Sequence, residues 1–138
     1  MDISGYTEKL IMLKGIQQQR IHVAINQIKQ EIEGVQQKID DKQEEMRRNQ
    51  EDKVTYIASF YQEIKTKTFS NQDMLQLDIT VKKKDMDYKD LSSQKDELYE
   101  ELALVEQKLE DEKVKLKASI RQQEKYSYIQ TNYAAFSA

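Results

Sequence analysis

Residues 21–39 read IHVAINQIKQEIEGVQQKI, and this stretch decides the fold. Its branched apolar residues are separated by alternating steps of four and three: Ile21, Ile25, Ile28, Ile32, Val35 and Ile39. Steps of this kind place all of them on one stripe of an α-helix, at the two core positions of a heptad repeat. The stretch therefore predicts a helix that packs against another helix as a coiled coil.

The composition of the whole chain agrees with this prediction. Its 138 residues include 3 Gly, no Pro and no Cys, and 34% of them are charged while 38% are hydrophobic. Average usage would be about 7% Gly and about 5% Pro, so tight turns are scarce here. Folds with many loops, such as β-sandwiches, barrels and doubly wound α/β domains, are therefore disfavoured. The lack of Cys excludes disulfides and cysteine-bound zinc.

A second heptad pattern occupies the other half of the chain. Its core positions are Val81, Lys84, Tyr88, Leu91, Lys95, Leu98, Leu102, Val105, Leu109, Glu112 and Leu116. Between the two patterns, Ser70 followed by Asp73 resembles a capping box, which marks the start of a helix. We predict an all-α fold, a long two-helix antiparallel coiled-coil hairpin that forms a single domain over residues 1–138. Helix one covers about 5–66, the turn about 67–70 and helix two about 71–133.

Two segments depart from the regular pattern. Leu75–Val81 alternates with period two, as strands do, but we predict helix because a lone short strand would have no partner. Near the N-terminus another helical spacing is shifted from the main register, which predicts a local change of supercoil near residues 13–21. The residues with this shifted spacing are Leu10, Leu13, Gln17, Arg20 and Ala24.

The hairpin brings charged side chains of the two helices together. A turn centred near residue 69 places Lys53 near Asp85, and Lys42 and Asn49 near Asp96 and Asp90. Polar residues at core positions fix the register of a coiled coil at some cost in stability.

The formal net charge of −3 hides an uneven distribution. Residues 9–30 contain four basic residues and no acidic one, and residues 113–125 contain five basic residues and one acidic one. Residues 96–112 contain eight acidic residues and one Lys. Since the two basic segments face each other in the hairpin, the end that carries both termini is predicted to be basic. Such a surface suits nucleic acid, an anionic membrane or an acidic protein.

Aromatic residues accompany the second basic segment. They include Tyr126, Tyr128, Tyr133 and Phe136. Aromatic side chains among basic ones stack on single-stranded nucleic acid or anchor a protein interface. Packing against Tyr6, Leu10 and Leu13 of helix one is the third alternative.

The sequence offers no set of residues for catalysis. A two-helix hairpin has no interior large enough for an active site, and His22 is the only His. The isolated Gly residues form no phosphate-binding loop. We therefore expect no enzyme activity, catalytic residue, metal site, cofactor or small-molecule substrate.

No targeting or membrane segment is visible. The longest apolar run, Leu10–Leu13, is far shorter than the ~20 residues that span a bilayer. The first residues lack the basic and apolar regions of a signal peptide. We expect a cytoplasmic protein.

The motif Leu10-x-x-Leu13-Lys14-x-Ile16-x-x-x-Arg20-x-x-x-Ala24 resembles the basic, Leu-rich start of a known family. That family comprises the central-stalk proteins of type III secretion systems, the YscO group related to flagellar FliJ. Leu116-Lys117-Ala118, with Arg121, Glu124-Lys125 and Tyr126, is similar to the basic C-terminal end of the same family.

The resemblance implies a helical stalk at the cytoplasmic face of a secretion apparatus. Its partners would be a hexameric secretion ATPase, the export-gate protein and secretion chaperones. The implied partner-binding residues are Lys14, Arg20, Lys117, Arg121, Lys125, Tyr126, Tyr128 and Tyr133.

Two other functions fit the same residues. One is a coiled-coil chaperone or scaffold module of the prefoldin type, which needs strands, and Leu75–Val81 is the one candidate for a strand. The other is a nucleic-acid-binding coiled coil, which we favour less. The sequence leaves the oligomeric state open.

Overall fold

The computed structural model describes the backbone of residues 3–137 and the side chains of residues 4–132. Helix α1 covers Ile3–Ile64 and helix α2 covers Asn71–Ser137. No strand occurs in this described part. The two long helices are antiparallel and pack against each other, which confirms the predicted all-α helical hairpin.

Two compact units make up the chain. The first, here called the terminal unit, combines Met1–Glu33 with Ala103–Ala138. The second, here called the turn unit, is Gly34–Leu102. Each unit therefore pairs a stretch of α1 with an antiparallel stretch of α2 and has buried residues of its own.

The heptad pattern of residues 21–39 forms part of the buried core in both units. Relative exposures of 5–8% define the apolar core, which is Ile21, Ile25 and Val105 in the terminal unit and Val35, Ile39 and Met46 in the turn unit. Among the described residues, no large side chain is completely buried. Because nearly complete burial of an apolar side chain contributes roughly 1.5–3 kcal/mol, each of these six residues adds to the stability.

The connection between the helices spans residues 65–70, two residues longer at its start than predicted. The amides of Thr66 and Lys67 donate to the carbonyl of Glu63 at 3.1 and 3.0 Å and so satisfy the end of α1. Phe69 packs edge-on against Phe60, with ring centroids 4.7 Å apart. The chain thus reverses direction without a glycine. The hydrogen bonds to the Glu63 carbonyl and the packing of Phe69 on Phe60 hold the connection.

Ser70 and Asp73 form the predicted capping box at the start of α2. The Asp73 amide donates to Ser70 Oγ at 3.2 Å, and the Ser70 amide donates to Asp73 Oδ2 at 3.0 Å. Hydrogen bonds to the Asp73 carboxyl, first from the Ser70 amide and then from the Ser70 side chain, lower its pKa because they favour the charged form.

We expect Ser70→Ala to lower the free energy of unfolding by about 1 kcal/mol at neutral pH, because an amide of the first turn loses its acceptor. Asp73→Asn should remove a pH-dependent contribution. The folded-state pKa of Asp73 is lowered, so its stabilisation is present above the unfolded-state pKa and is lost as the pH falls through the folded value. Urea unfolding between pH 7 and pH 2 measures both effects. Asp40→Asn, an exposed change inside α1, serves as the control, and an equal acid response in both variants would contradict the prediction.

The segment Leu75–Val81 is helical, as predicted. Its alternating apolar residues lie on two faces of the helix. Leu77 and Val81 are half-buried, while Leu75 and Ile79 are 58% and 51% exposed. Apolar residues on two faces of a helix here produce the two-residue alternation that is typical of a strand.

The predicted shift of register near residues 13–21 is wrong. Leu13 is 56% exposed and Arg20 is exposed, while the core spacing continues from Ile21 through Gln18 and Lys14. The error arose because apolar residues were assumed to face inward, whereas polar residues occupy the inward positions in this stretch.

One of the three predicted cross-helix pairs forms a direct contact. Lys53 Nζ lies 2.6 Å from Asp85 Oδ1 in the turn unit. Lys42 instead contacts Glu45 of its own helix at 3.5 Å. Asn49 and Asp90 line one groove, but Asn49 Oδ1 is buried without a hydrogen-bond partner.

Candidate partner-binding surface

A polar layer joins the two helices in the terminal unit. Gln18 Nε2 donates to Gln123 Oε1 at 2.9 Å, and Gln123 Nε2 donates to the carbonyl of Ile11 at 3.1 Å. Ser119, which is 3% exposed, donates through Oγ to Gln17 Oε1 at 3.1 Å. Side-chain hydrogen bonds therefore help to fix the helix register in this unit, beside the apolar contacts of Ile21, Ile25 and Val105.

The opposite side of α1 carries a row that we call the outer stripe. Its members lie at heptad positions c and f, away from α2: Tyr6, Lys9, Leu13, Ile16, Arg20 and Val23. The apolar members are 42–57% exposed. The usual arrangement, apolar inside and polar outside, is thus partly inverted in this stretch of helix.

A similar but shorter row lies on the outer side of α2. Val114 and Tyr128 are 64% and 72% exposed, and Arg121 and Lys125 are exposed between them. Their spacing of seven, four and three residues places them on one face. Two basic side chains thus share a face with an exposed aromatic ring, and Arg and aromatic residues are enriched at protein interfaces.

The structure places seven of the eight predicted binding residues, and these lie on several faces of the terminal unit. Arg20 is exposed at heptad position c of α1 and also borders a groove to α2, whereas Arg121, Lys125 and Tyr128 lie on the outer side of α2. Lys117 is exposed. These five side chains are open to a partner.

The remaining predicted residues differ from these. Lys14 and Tyr126 occupy inward heptad positions and are half-buried. Lys14 Nζ donates to Gln17 Oε1 at 3.2 Å, and it lines a groove of about 510 Å³ together with Arg20 and Ser119. The side chain of Tyr133 lies outside the described part of the chain.

Sequence reasoning missed the apolar members of the outer stripe. The sequence pattern places Leu13 in a shifted helical spacing and offers it as a packing partner for the C-terminal aromatic residues, and it indicates no surface role for Ile16 and Val23. The signal was present, because Leu13, Ile16, Arg20 and Val23 follow the same alternating steps of three and four as the core. Periodicity finds such a row, but it does not tell which of two rows faces inward.

The strongest ion pairing lies on the exposed surface of the turn unit. Arg47 Nε donates to Glu44 Oε2 at 2.9 Å and also pairs with Glu51. These contacts lower the pKa of Glu44 to about 2, chiefly through the hydrogen bond from Arg47, and raise the pKa of the Arg47 guanidinium. Exposed pairs of this kind contribute little to stability, and they hold both groups in their charged forms.

No family model, curated protein or solved structure matches this chain. In the part that the structure describes, no group of three or more His, Cys, Asp or Glu residues is placed to hold a metal ion. No helical stretch among the described residues combines the length and the hydropathy needed to cross a bilayer.

Proposed function

We propose that this chain is a non-enzymatic protein-binding hairpin that acts as the central stalk of a bacterial type III secretion apparatus. The observation that supports protein binding is the exposed basic and aromatic surface of the terminal unit, above all Arg20, Arg121, Lys125 and Tyr128. The resemblance of residues 10–24 to the stalk family supports the choice of apparatus.

The proposed mechanism is mechanical and allosteric. The terminal unit binds the hexameric secretion ATPase at the cytoplasmic face of the apparatus, and the stalk also contacts the export gate and returns chaperones. Since Arg20 and Arg121 are exposed, their guanidinium groups pair with carboxylates on the ring. A single hairpin contacts the six subunits unequally, and so it favours different nucleotide states in different subunits.

The test is ATP hydrolysis by the hexameric secretion ATPase of the source cell, with this protein added. We expect the protein to raise the rate several-fold, and we expect the double variant Arg20→Glu, Arg121→Glu to lose most of this stimulation. Reversal of a rim charge acts mainly on the association rate and its salt dependence. The reduction should therefore be largest at low ionic strength, where screening is weak.

The control is Arg48→Glu, which reverses an arginine that is 70% exposed in the turn unit. It should stimulate the ATPase as the unaltered protein does. Stimulation that survives the double variant would refute the assigned residues, and no stimulation at all would refute the stalk. Suppression of client aggregation would then favour the chaperone, and oligonucleotide binding that weakens steeply with salt would favour the nucleic-acid binder.

A further inference from the structure

The outer stripe of α1 has the geometry of a second helix-packing surface. Leu13, Ile16, Arg20 and Val23 are separated by steps of three, four and three, as the core positions of a coiled coil are. Their apolar members are 56%, 42% and 57% exposed. Exposed apolar residues scattered singly need no explanation, but an aligned row marks an interaction surface.

The inward face of the same helix stretch, which contacts α2, contains polar residues. Thr7 is 4% exposed, and Gln18 forms a hydrogen bond across to Gln123. The α1–α2 contact thus uses polar groups here, while larger apolar groups such as Leu13 and Ile16 face away. The helix retains an apolar face for a partner other than α2.

The width of the stripe distinguishes a helix partner from a membrane. Apart from Met12 at position b, which is 60% exposed, the exposed large apolar residues here lie at heptad positions c and f, and Gln17 and Gln19 flank the stripe on its two sides. A helix that lies in a bilayer interface needs a broad apolar face, and both glutamine side chains would lose their hydration there. A row two positions wide instead matches the knobs-into-holes contact of one partner helix.

The charges in the stripe select the kind of partner helix. Lys9 and Arg20 are exposed within it, each next to one end, and no acidic residue occurs in residues 9–30. If two copies of this chain paired stripe to stripe, an antiparallel arrangement would place Lys9 opposite Arg20, and a parallel one would place each opposite its own copy. Like charges oppose both arrangements.

We propose that the outer stripe binds one amphipathic helix of another protein, with apolar residues at heptad spacing and carboxylates opposite Lys9 and Arg20. These two basic residues are 11 positions apart, which is about 16 Å along a helix. The carboxylates of the partner therefore lie about three turns apart. This inference goes beyond the secretion stalk, because it holds for any assembly that supplies such a helix.

The test uses the full chain and a fluorescently labelled 21-residue peptide with Leu at heptad positions a and d and Glu at e and g. Fluorescence anisotropy measures the Kd, and a second peptide of the same composition with its Leu residues moved out of the heptad measures binding by charge alone. We expect micromolar binding of the first peptide and at least roughly 10-fold weaker binding of the second, because apolar contacts supply much of the affinity.

The diagnostic variant is Leu13→Gln with Ile16→Gln, which should weaken peptide binding by roughly 10-fold or more. The matched control is Leu75→Gln with Ile79→Gln, the same residue types at 58% and 51% exposure in the turn unit, and it should bind unchanged. Circular dichroism should show equal helix content in both, since all four side chains are exposed. Arg20→Glu should weaken binding and also reduce its dependence on salt.

Any of four results would overturn the proposal. Equal binding of both peptides, or equal loss in the diagnostic and control variants, would show that the stripe does not recognise a heptad. Binding to vesicles of phosphatidylcholine and phosphatidylserine that is lost in the Leu13→Gln, Ile16→Gln variant, without peptide binding, would identify a membrane surface. A dimer that sedimentation equilibrium detects in the unaltered chain but not in this variant would identify a second copy as the occupant.

Discussion

Val35→Asp is expected to lower the free energy of unfolding by about 4 kcal/mol, because it places an unpaired carboxylate at an apolar core position. Val35 is 5% exposed and is among the most buried apolar side chains of the turn unit. The variant also loses the burial of the valine methyl groups. A loss of this size should lower the melting temperature by about 10 °C or more, as followed by circular dichroism at 222 nm.

Val54→Asp provides the matched control for this variant. It makes the same chemical change on the same helix and in the same unit, but Val54 is 64% exposed. Both variants exchange valine for aspartate within a helix, so their changes in helix propensity are equal. The difference between their free energies of unfolding therefore measures the effect of burial. We expect Val54→Asp to change the free energy of unfolding by no more than about 0.5 kcal/mol. Similar losses in both variants would show that Val35 does not belong to the core.

Asn49→Leu is expected to raise the free energy of unfolding by about 2 kcal/mol. Asn49 continues the heptad core after Met46, and its Oδ1 atom is buried without a hydrogen-bond partner. Leucine removes this unsatisfied acceptor and adds apolar surface next to Met46, which is 5% exposed. Urea unfolding, extrapolated linearly to water, measures the gain.

Asn26→Leu is the control, because Asn26 is exposed on the same helix. It should gain only the difference in helix propensity, about 0.5 kcal/mol. If the gain at position 49 were no larger, the buried acceptor would have a partner in solution. The Asn49→Leu variant should also form larger oligomers than the unaltered chain does, since a polar residue at a core position limits the partners and registers of a coiled coil. Sedimentation equilibrium tests this second effect.

Local signals predicted most of the fold. The alternating spacing of Ile21 to Ile39 set the core face, and Ser70 with Asp73 set the start of α2, because both act through neighbours close in the chain. The contact of Lys53 with Asp85 followed from the position of the turn. The polar layer around Gln18 was not predicted, because the residue type glutamine does not indicate whether a side chain faces the partner helix or solvent.

The candidate site was predictable only in part. Arg20, Arg121 and Tyr128 are exposed, as a binding residue must be, because charged and amphipathic side chains at outer heptad positions remain hydrated. Lys14 and Tyr126 were implied by the family resemblance, which rests on sequence motifs, yet the heptad directs them inward. One residue of displacement along a helix turns a side chain by 100°, so clusters in sequence do not remain clusters in space.

The shallow core of this hairpin determines how its stability responds to temperature. Since no large side chain in the described part is completely buried, unfolding exposes less new apolar surface to water than the unfolding of a domain of this length with a fully buried core. The heat-capacity increase of unfolding is then smaller, because it arises mainly from hydration of that surface. The enthalpy of unfolding therefore changes less with temperature, and the stability curve is flatter. Such a protein gives up less of its stability in the cold.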